Sequence, residues 1–236
     1  MERDMRVAAV VLDMDGLMLD TEPLYKAAWQ QAAAELGYEL DDLSYLNLVG
    51  RSTHDSEREL LRNFGRSFPV AEFRSRWSAV WRLRVEHTGI PLKPGLLEFL
   101  SFVEGQQLPI AVATSSDRDY TDFSLRHAGL LQRFSIVVTG DQVANGKPAP
   151  DIYVEAARRL GVEPSQCAAL EDSDAGIVAA SRAGMLPFLI PDLKPPSEEA
   201  TSAAFRVLRS LHEAQHCIFM LLTDGQCSDS HRSRPL

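Results

Sequence analysis

The chain has 236 residues, 45% of them hydrophobic and 24% charged, the balance of a folded globular protein; disorder along the whole chain, a collagen repeat and a disulfide-rich scaffold are excluded. At roughly 100–200 residues per domain, it is one large domain or a domain carrying a smaller one. Its formal charge of −9 repels polyanions over the surface as a whole, so nucleic acid is not an expected partner, and an anionic ligand needs a local positive site or a metal cation.

In chain order, Val7–Leu12 (VAAVVL) is a short apolar run that ends in acid and glycine, which predicts a parallel strand buried on both faces. Leu24–Leu36 is Ala-rich and stops at Gly37, a helix reading. Asp55–Phe64 carries Leu60, Leu61 and Phe64 on one side. Ala71–Val85 sets Phe73, Trp77, Val80, Trp81 and Leu83 at helical periods. No strand is evident from about Thr21 to Thr88, so residues 21–88 are expected to form an all-helical insert. It interrupts a core made of residues 1–20 and 89–236. The exits Thr21-Glu22-Pro23 and Pro91-Leu92-Lys93-Pro94-Gly95 are rich in stiff or turning residues and suit a hinge. Beyond them, a helix is expected over Gly95–Glu104, a strand over Leu108–Ala113 and a helix over Tyr120–Ala128. A strand follows at Ser135–Val138, then a helix over Ile152–Leu160, N-capped by Asp151 and stopped by Gly161. The last strands are Cys167–Leu170 and Leu186–Ile190, separated by a helix over Ala175–Ala183. Strands alternating with helices predict an α/β fold, a doubly wound parallel sheet of Rossmann-like type with an inserted helical cap. Thr223–Leu236 is polar and patternless and is expected to be loose.

The cysteines Cys167, Cys217 and Cys227 lack metal-ligand spacing, which suits a reducing compartment. The start of the chain does not read as a signal peptide. The apolar run Cys217–Leu222 is far shorter than the roughly 20 residues of a spanning helix. The expectation is a cytoplasmic protein with no membrane partner, a monomer or weak dimer.

Chemistry gathers at the predicted strand ends. Asp13-Met14-Asp15-Gly16 closes the first, followed by Asp20-Thr21. Ligands of open parallel sheets bind beyond the carboxyl ends of the strands. Residues two apart in an extended chain share a side, so Asp13 and Asp15 can face one site. Two adjacent carboxylates need a cation between them, or one keeps a proton. Gly16 lets the backbone turn and come close to a ligand. Thr114-Ser115-Ser116 offers hydroxyls and amides to a phosphate. Lys147, before Pro148, offers a compact ammonium. Glu171 and Asp172 are hard oxygen ligands suited to Mg²⁺. Each feature has a bland reading: turn capping by the acids and Ser/Thr, a solvated loop lysine, and N-capping by Ser173 or Asp174.

Taken jointly, these motifs resemble the haloacid dehalogenase-like hydrolase superfamily, in its branch with a helical cap after the first strand. The similarity runs from about Val7 to about Pro191. It implies Asp13 as a nucleophile that becomes an aspartyl-phosphate, and Asp15 as general acid and then base. It implies Mg²⁺ held by Asp13, Asp15, Glu171 and Asp172, with the division between the last two left open. Thr114, Ser115 and Lys147 would cradle the phosphoryl group, with Gly16 and Ser116 beside the substrate. Gly50-Arg51-Ser52 in the cap is the candidate specificity loop, with Gly50 and Arg51 as substrate contacts.

The resemblance implies a phosphatase of a small phosphorylated metabolite, either a sugar phosphate or a nucleoside monophosphate. Asp13–Tyr25 (DMDGLMLDTEPLY) and Ala113–Ser116 (ATSS) are similar to pseudouridine-5'-phosphatases. The first alternative is a phosphosugar mutase like beta-phosphoglucomutase, against which stand Tyr25 and Thr53, where those enzymes carry His and Arg. The second is non-catalytic, an aspartyl-phosphate receiver-type signalling domain, which lacks a helical insert. Within the insert, Arg58, Arg62 and their neighbours read as a solvated face of acid–Arg pairs or as a basic lid. The stripe Phe73, Trp77 and Trp81 reads as cap core more than as a base-stacking surface.

Overall fold

The computed structural model describes residues 7–48 and 53–223. The chain divides into two compact units, Met1–Leu19 with Leu92–Leu236, and Asp20–Pro91.

The first unit is built on a six-stranded parallel sheet: β1 (Ala9–Leu12), β2 (Ile110–Ala113), β3 (Ile136–Val138), β4 (Cys167–Glu171), β5 (Leu186–Leu189) and β6 (Arg206–Val207). The spatial order is β3-β2-β1-β4-β5-β6. Val10 pairs with Ile110 on one side of β1 and Ala168 on the other. Each residue of β1 is fully buried, as a central parallel strand covered on both faces must be. One face of the sheet is lined by small side chains, among them Ala9, Ala111, Ala113 and Ala169. Small residues there let α7 (Asp151–Leu160) and α8 (Asp174–Arg182) seat Ile152, Tyr153, Ala156, Ala179 and Ala180 directly against it. The unit is completed by α5 (Leu96–Gly105), α6 (Arg118–His127), α9 (Glu198–Ala203) and α10 (Leu211–Thr223).

The second unit is helical: α1 (Glu22–Glu35), α2 (Asp42–Leu46), α3 (Thr53–Phe64) and α4 (Val70–Thr88). Pro23 sits in the first turn of α1, where a missing N–H costs nothing. Its core holds Ala32, Leu60 and Phe73. Tyr25 stacks on Trp81 with ring centroids 5.5 Å apart, and Trp29 meets Phe73 edge-on at 5.4 Å. Phe73 and Trp81 are buried, so the aromatic stripe is core. Arg62 pairs with Glu59 and Arg76 with Glu72, the i,i+3 and i,i+4 pairs of a solvated face.

One local expectation is corrected, one open choice is decided, and one segment left unassigned gains an element. Pro150 already has helical angles and Asp151 is the first residue of α7, so Asp151 is no N-cap; its Oδ1 instead accepts from Asn145 at 3.0 Å. Ser173, not Asp174, caps α8, accepting from the Gly176 amide at 3.1 Å. The region after Leu211 contains a helix, α10, which buries Leu211, Ala214, Ile218 and Leu221. Of the tail expected to be loose, all but Thr223 lies outside the described residues. Among the described residues, no helix is long and apolar enough to cross a membrane.

Candidate active site

The sheet reverses its winding at the β1–β4 boundary, the switch point beyond whose strand ends ligands of such sheets bind. Asp13 follows β1, with its amide donating to the Leu170 carbonyl at 3.0 Å, so β1 and β4 stay paired up to the acid. The Asp13 side chain is 10% exposed, that of Lys147 5%, and that of Glu171 is fully buried. Lys147 Nζ donates to Asp13 Oδ1, to Glu171 Oε1 at 2.5 Å and to the Ala113 carbonyl at 3.1 Å. An ammonium has three protons, and here each has a protein oxygen.

Glu171 is a hub. Its Oε1 accepts from Lys147 and from the Tyr153 hydroxyl at 2.7 Å. Its Oε2 accepts from the Asp172 and Ser173 amides, both at 3.1 Å, and from the Ser173 hydroxyl at 2.9 Å. A Cβ on Gly176 would overlap this carboxylate, so only glycine allows α8 to start so close to it. The Asp172 carboxyl lies over Gly16: a Cβ there would sit 2.8 Å from Asp172 Cγ. Gly16 also has φ +84°, which its lack of a side chain permits. Asp192 Oδ2 lies near the same point, and its Oδ1 accepts from Lys93 at 2.5 Å.

Asp13, Glu171 and Asp172 each offer an oxygen, all within 4.8 Å of one another. Ionised together, three carboxylates against one ammonium would leave two uncompensated negative charges in a buried place, the charge that one divalent cation offsets. The donor set is all hard oxygen, which fits such an ion. The strain of crowding is visible in proton affinity. Burial first, and then the charge of Glu171, push Asp13 up to about 8 despite Lys147. Burial and the charges of Asp13 and Glu171 raise Asp172 as well. Burial opposes the charge of Lys147, but Asp13 and Glu171 outweigh it and raise its affinity. These groups can therefore hold a metal ion.

The remaining expected residues gather on the same edge. Thr114, buried after β2, accepts from the Ser116 amide at 3.2 Å. Ser115 is exposed, and its carbonyl packs so tightly on Gly140 that a Cβ would not fit. The Ser116 hydroxyl donates to Asp15 Oδ2 at 3.2 Å, and the Tyr120 hydroxyl donates to Asp15 Oδ1 at 2.8 Å. Gly50 and Arg51 lie outside the described residues. Sequence reasoning missed Tyr120, Tyr153, Gly140 and the Lys93–Asp192 pair. Of these, only Tyr120, near the start of a helix that follows a strand end, gave any signal.

A parallel α/β core with an acid-lysine cluster at its switch point defines the class, and comparison with known proteins agrees. The family model for haloacid dehalogenase-like hydrolases matches residues 7–184, and the chain belongs to that family. It is 35% identical to the fructose-1-phosphate phosphatase YqaB of Escherichia coli over 181 residues, covering 76% of this chain and 94% of that one. It is 34% identical over 212 residues to a protein of Drosophila melanogaster named "Probable pseudouridine-5'-phosphatase", covering 87% and 90%. The solved structure of CbbY from Rhodobacter sphaeroides in complex with phosphate superposes with a TM-score of 0.73 at 29% identity, over 88% of this chain and 96% of that one. Structures carrying the name beta-phosphoglucomutase share the fold too, so fold alone does not separate phosphatase from mutase. The phosphatase names of the sequence relatives do not favour a mutase. A receiver-type domain is excluded by the family match.

Proposed function

We propose that this chain hydrolyses a small phosphomonoester, a sugar phosphate or a nucleoside monophosphate, with Mg²⁺ and through an aspartyl-phosphate on Asp13. The observation that carries this reading is the buried cluster of Asp13, Lys147, Glu171 and Asp172 at the switch point. The names of its relatives supply the substrate class.

Lys147 holds Asp13 by Oδ1 and leaves the other oxygen to attack phosphorus. The bond from phosphorus to Asp13 forms as the bond to the leaving oxygen breaks, and Asp15 gives that oxygen its proton. In the second half Asp15 takes a proton from water, the water oxygen bonds to phosphorus, and phosphate leaves Asp13 as a free carboxylate. Thr114 and the Ser115 amide face the transferring group. Asp13 and Asp172, with the Asp15 backbone carbonyl, would hold Mg²⁺, which would supply positive charge against the repulsion between anionic nucleophile and anionic substrate. Glu171, whose oxygens already accept five hydrogen bonds, contributes charge and orders Lys147 more readily than it ligates. The helical unit serves as a cap that selects the substrate, with Gly50 and Arg51 in its specificity loop.

The test is phosphate release over a panel of sugar and nucleoside monophosphates, with Mg²⁺ and with EDTA, alongside an assay for glucose-phosphate interconversion. Metal-dependent release is the expected result. Interconversion without release, or release unchanged by EDTA, would refute the reading.

A further inference from the structure

The geometry points to Tyr120 as the residue that orients Asp15 for proton transfer, an inference that rests on the reading of Asp15 as general acid and base. Tyr120 stands in the first turn of α6, where its amide donates to the N-capping Asp117 at 2.8 Å. The cap fixes the turn, and the turn aims the phenol. The hydroxyl donates to Asp15 Oδ1 at 2.8 Å while Ser116, two residues before the helix, donates to Oδ2 at 3.2 Å. Both oxygens of one carboxylate are thus held from a single loop-and-helix segment, itself tied to the turn after β3 by the Gly140 amide on the Ser116 carbonyl at 2.8 Å.

The kind of donor matters. Lys147 holds Asp13 by charge, an interaction that favours only the anionic form. Tyr120 and Ser116 are neutral hydroxyls on different oxygens of Asp15; when Asp15 is protonated, one still donates to its carbonyl oxygen and the other can donate to its acid hydroxyl oxygen, so the anchor serves both states. A residue that must give a proton and then take one needs an anchor that survives both states. Orientation by a third group is also how nucleophile–base pairs are arranged generally. Tyr120 is a positioning residue: it touches neither the phosphorus nor the leaving oxygen.

The consequence is selective for the leaving group. A basic leaving oxygen needs the Asp15 proton as the bond breaks, and a weakly basic one leaves without it. The experiment measures kcat/KM, which reports the first half-reaction, for phenyl phosphate and 2,4-dinitrophenyl phosphate with Mg²⁺. The parent, Tyr120→Phe, Ser116→Ala and Asp15→Asn are compared, and thermal melts confirm folding. Tyr120→Phe is expected to lower kcat/KM about tenfold or more for phenyl phosphate and by no more than about threefold for the dinitrophenyl ester, a part of the ~10²–10⁴ that acid–base catalysis supplies. Ser116→Ala should tilt the same way by less. A uniform loss on both esters, or no loss, in both variants would overturn the role of Tyr120 while Asp15→Asn still discriminates. If Asp15→Asn itself does not discriminate, the reading of Asp15 fails instead.

Discussion

Gly176→Ala separates two physical effects that predict opposite signs. Gly176 is the third residue of α8, and helix propensity alone favours alanine there by about 1 kcal/mol. The added Cβ, however, would fall inside the Glu171 carboxylate, overlapping Oε1, Cδ and Oε2. Either the carboxylate or the start of α8 must shift, by at least about 1 Å to restore the closest separations real Cβ atoms tolerate. Glu171 accepts five hydrogen bonds from four residues, and no such shift keeps them all. Losing two at about 1.5–3 kcal/mol each, as for bonds to a charged group, outweighs the propensity gain and leaves a net loss of about 2–5 kcal/mol. Lys147 and Asp172 move with Glu171, and misplacement on this scale costs about 10² in rate. The control is Gly105→Ala, at the end of α5, where a Cβ meets nothing within 4 Å and a small gain is expected. Urea unfolding and phosphate release on both variants give the readout. A Gly176→Ala protein as stable and as active as the parent would refute the account of Glu171 as a tightly held hub.

Tyr153→Phe removes a single hydroxyl from Glu171 Oε1 and should cost about 1.5–3 kcal/mol in urea unfolding, with a smaller loss of turnover than Gly176→Ala; an unchanged midpoint would contradict it. Lys147→Arg should lose turnover as completely as Lys147→Met, because a planar guanidinium cannot converge three donors on one point between Asp13, Glu171 and the Ala113 carbonyl; retained phosphate release in the arginine variant would show that charge suffices. Burial and then the Glu163 charge push the Cys167 thiol up to about 11, so at pH 8 about a thousandth is thiolate. Iodoacetamide should leave Cys167 unlabelled in native protein, with the rate climbing as pH rises toward 11, as peptide mass spectrometry would show; rapid labelling at pH 8 would contradict it.

The sheet was legible because its strands are buried on both faces and so read as unbroken apolar runs. Val7–Leu12 and Leu108–Ala113 overran β1 and β2 by two residues at the start, where the chain is already apolar and single backbone bonds, from the Ala8 amide to the Gln166 carbonyl and from the Val10 amide to the Pro109 carbonyl, lead into the ladder. The site followed from the same fact: a parallel sheet brings every carboxyl end to one edge, so Asp13, Thr114, Lys147, Glu171 and Asp172 meet once the strands are placed. Tyr153 was hidden by its neighbours. On α7 it lies among Ile152, Ala156 and Ala157 and reads as core, with nothing in the sequence to say that its hydroxyl reaches Glu171. The helix α10 was obscured in another way. Leu211, Ala214, Ile218 and Leu221 have helical spacing and are buried, but Cys217, Phe219, Met220 and Leu222 fill the gaps and turn the period into a run. The two residues of β6 are too few to show any period.

The charges explain why the cluster has so many supports. A lysine facing a phosphate would be the simple way for a protein of charge −9 to draw in an anion, yet each proton of Lys147 is directed at a protein oxygen. In this arrangement it compensates two buried carboxylates, Asp13 and Glu171. On the proposed reading, attraction for the substrate would then fall to the hydroxyls and amides after β2 and to a cation held by the acidic cluster. The same accounting explains the two glycines. Gly16 and Gly176 vacate the space into which Asp172 and Glu171 press, so the acids approach Asp13 on backbone that has no side chain to push them away.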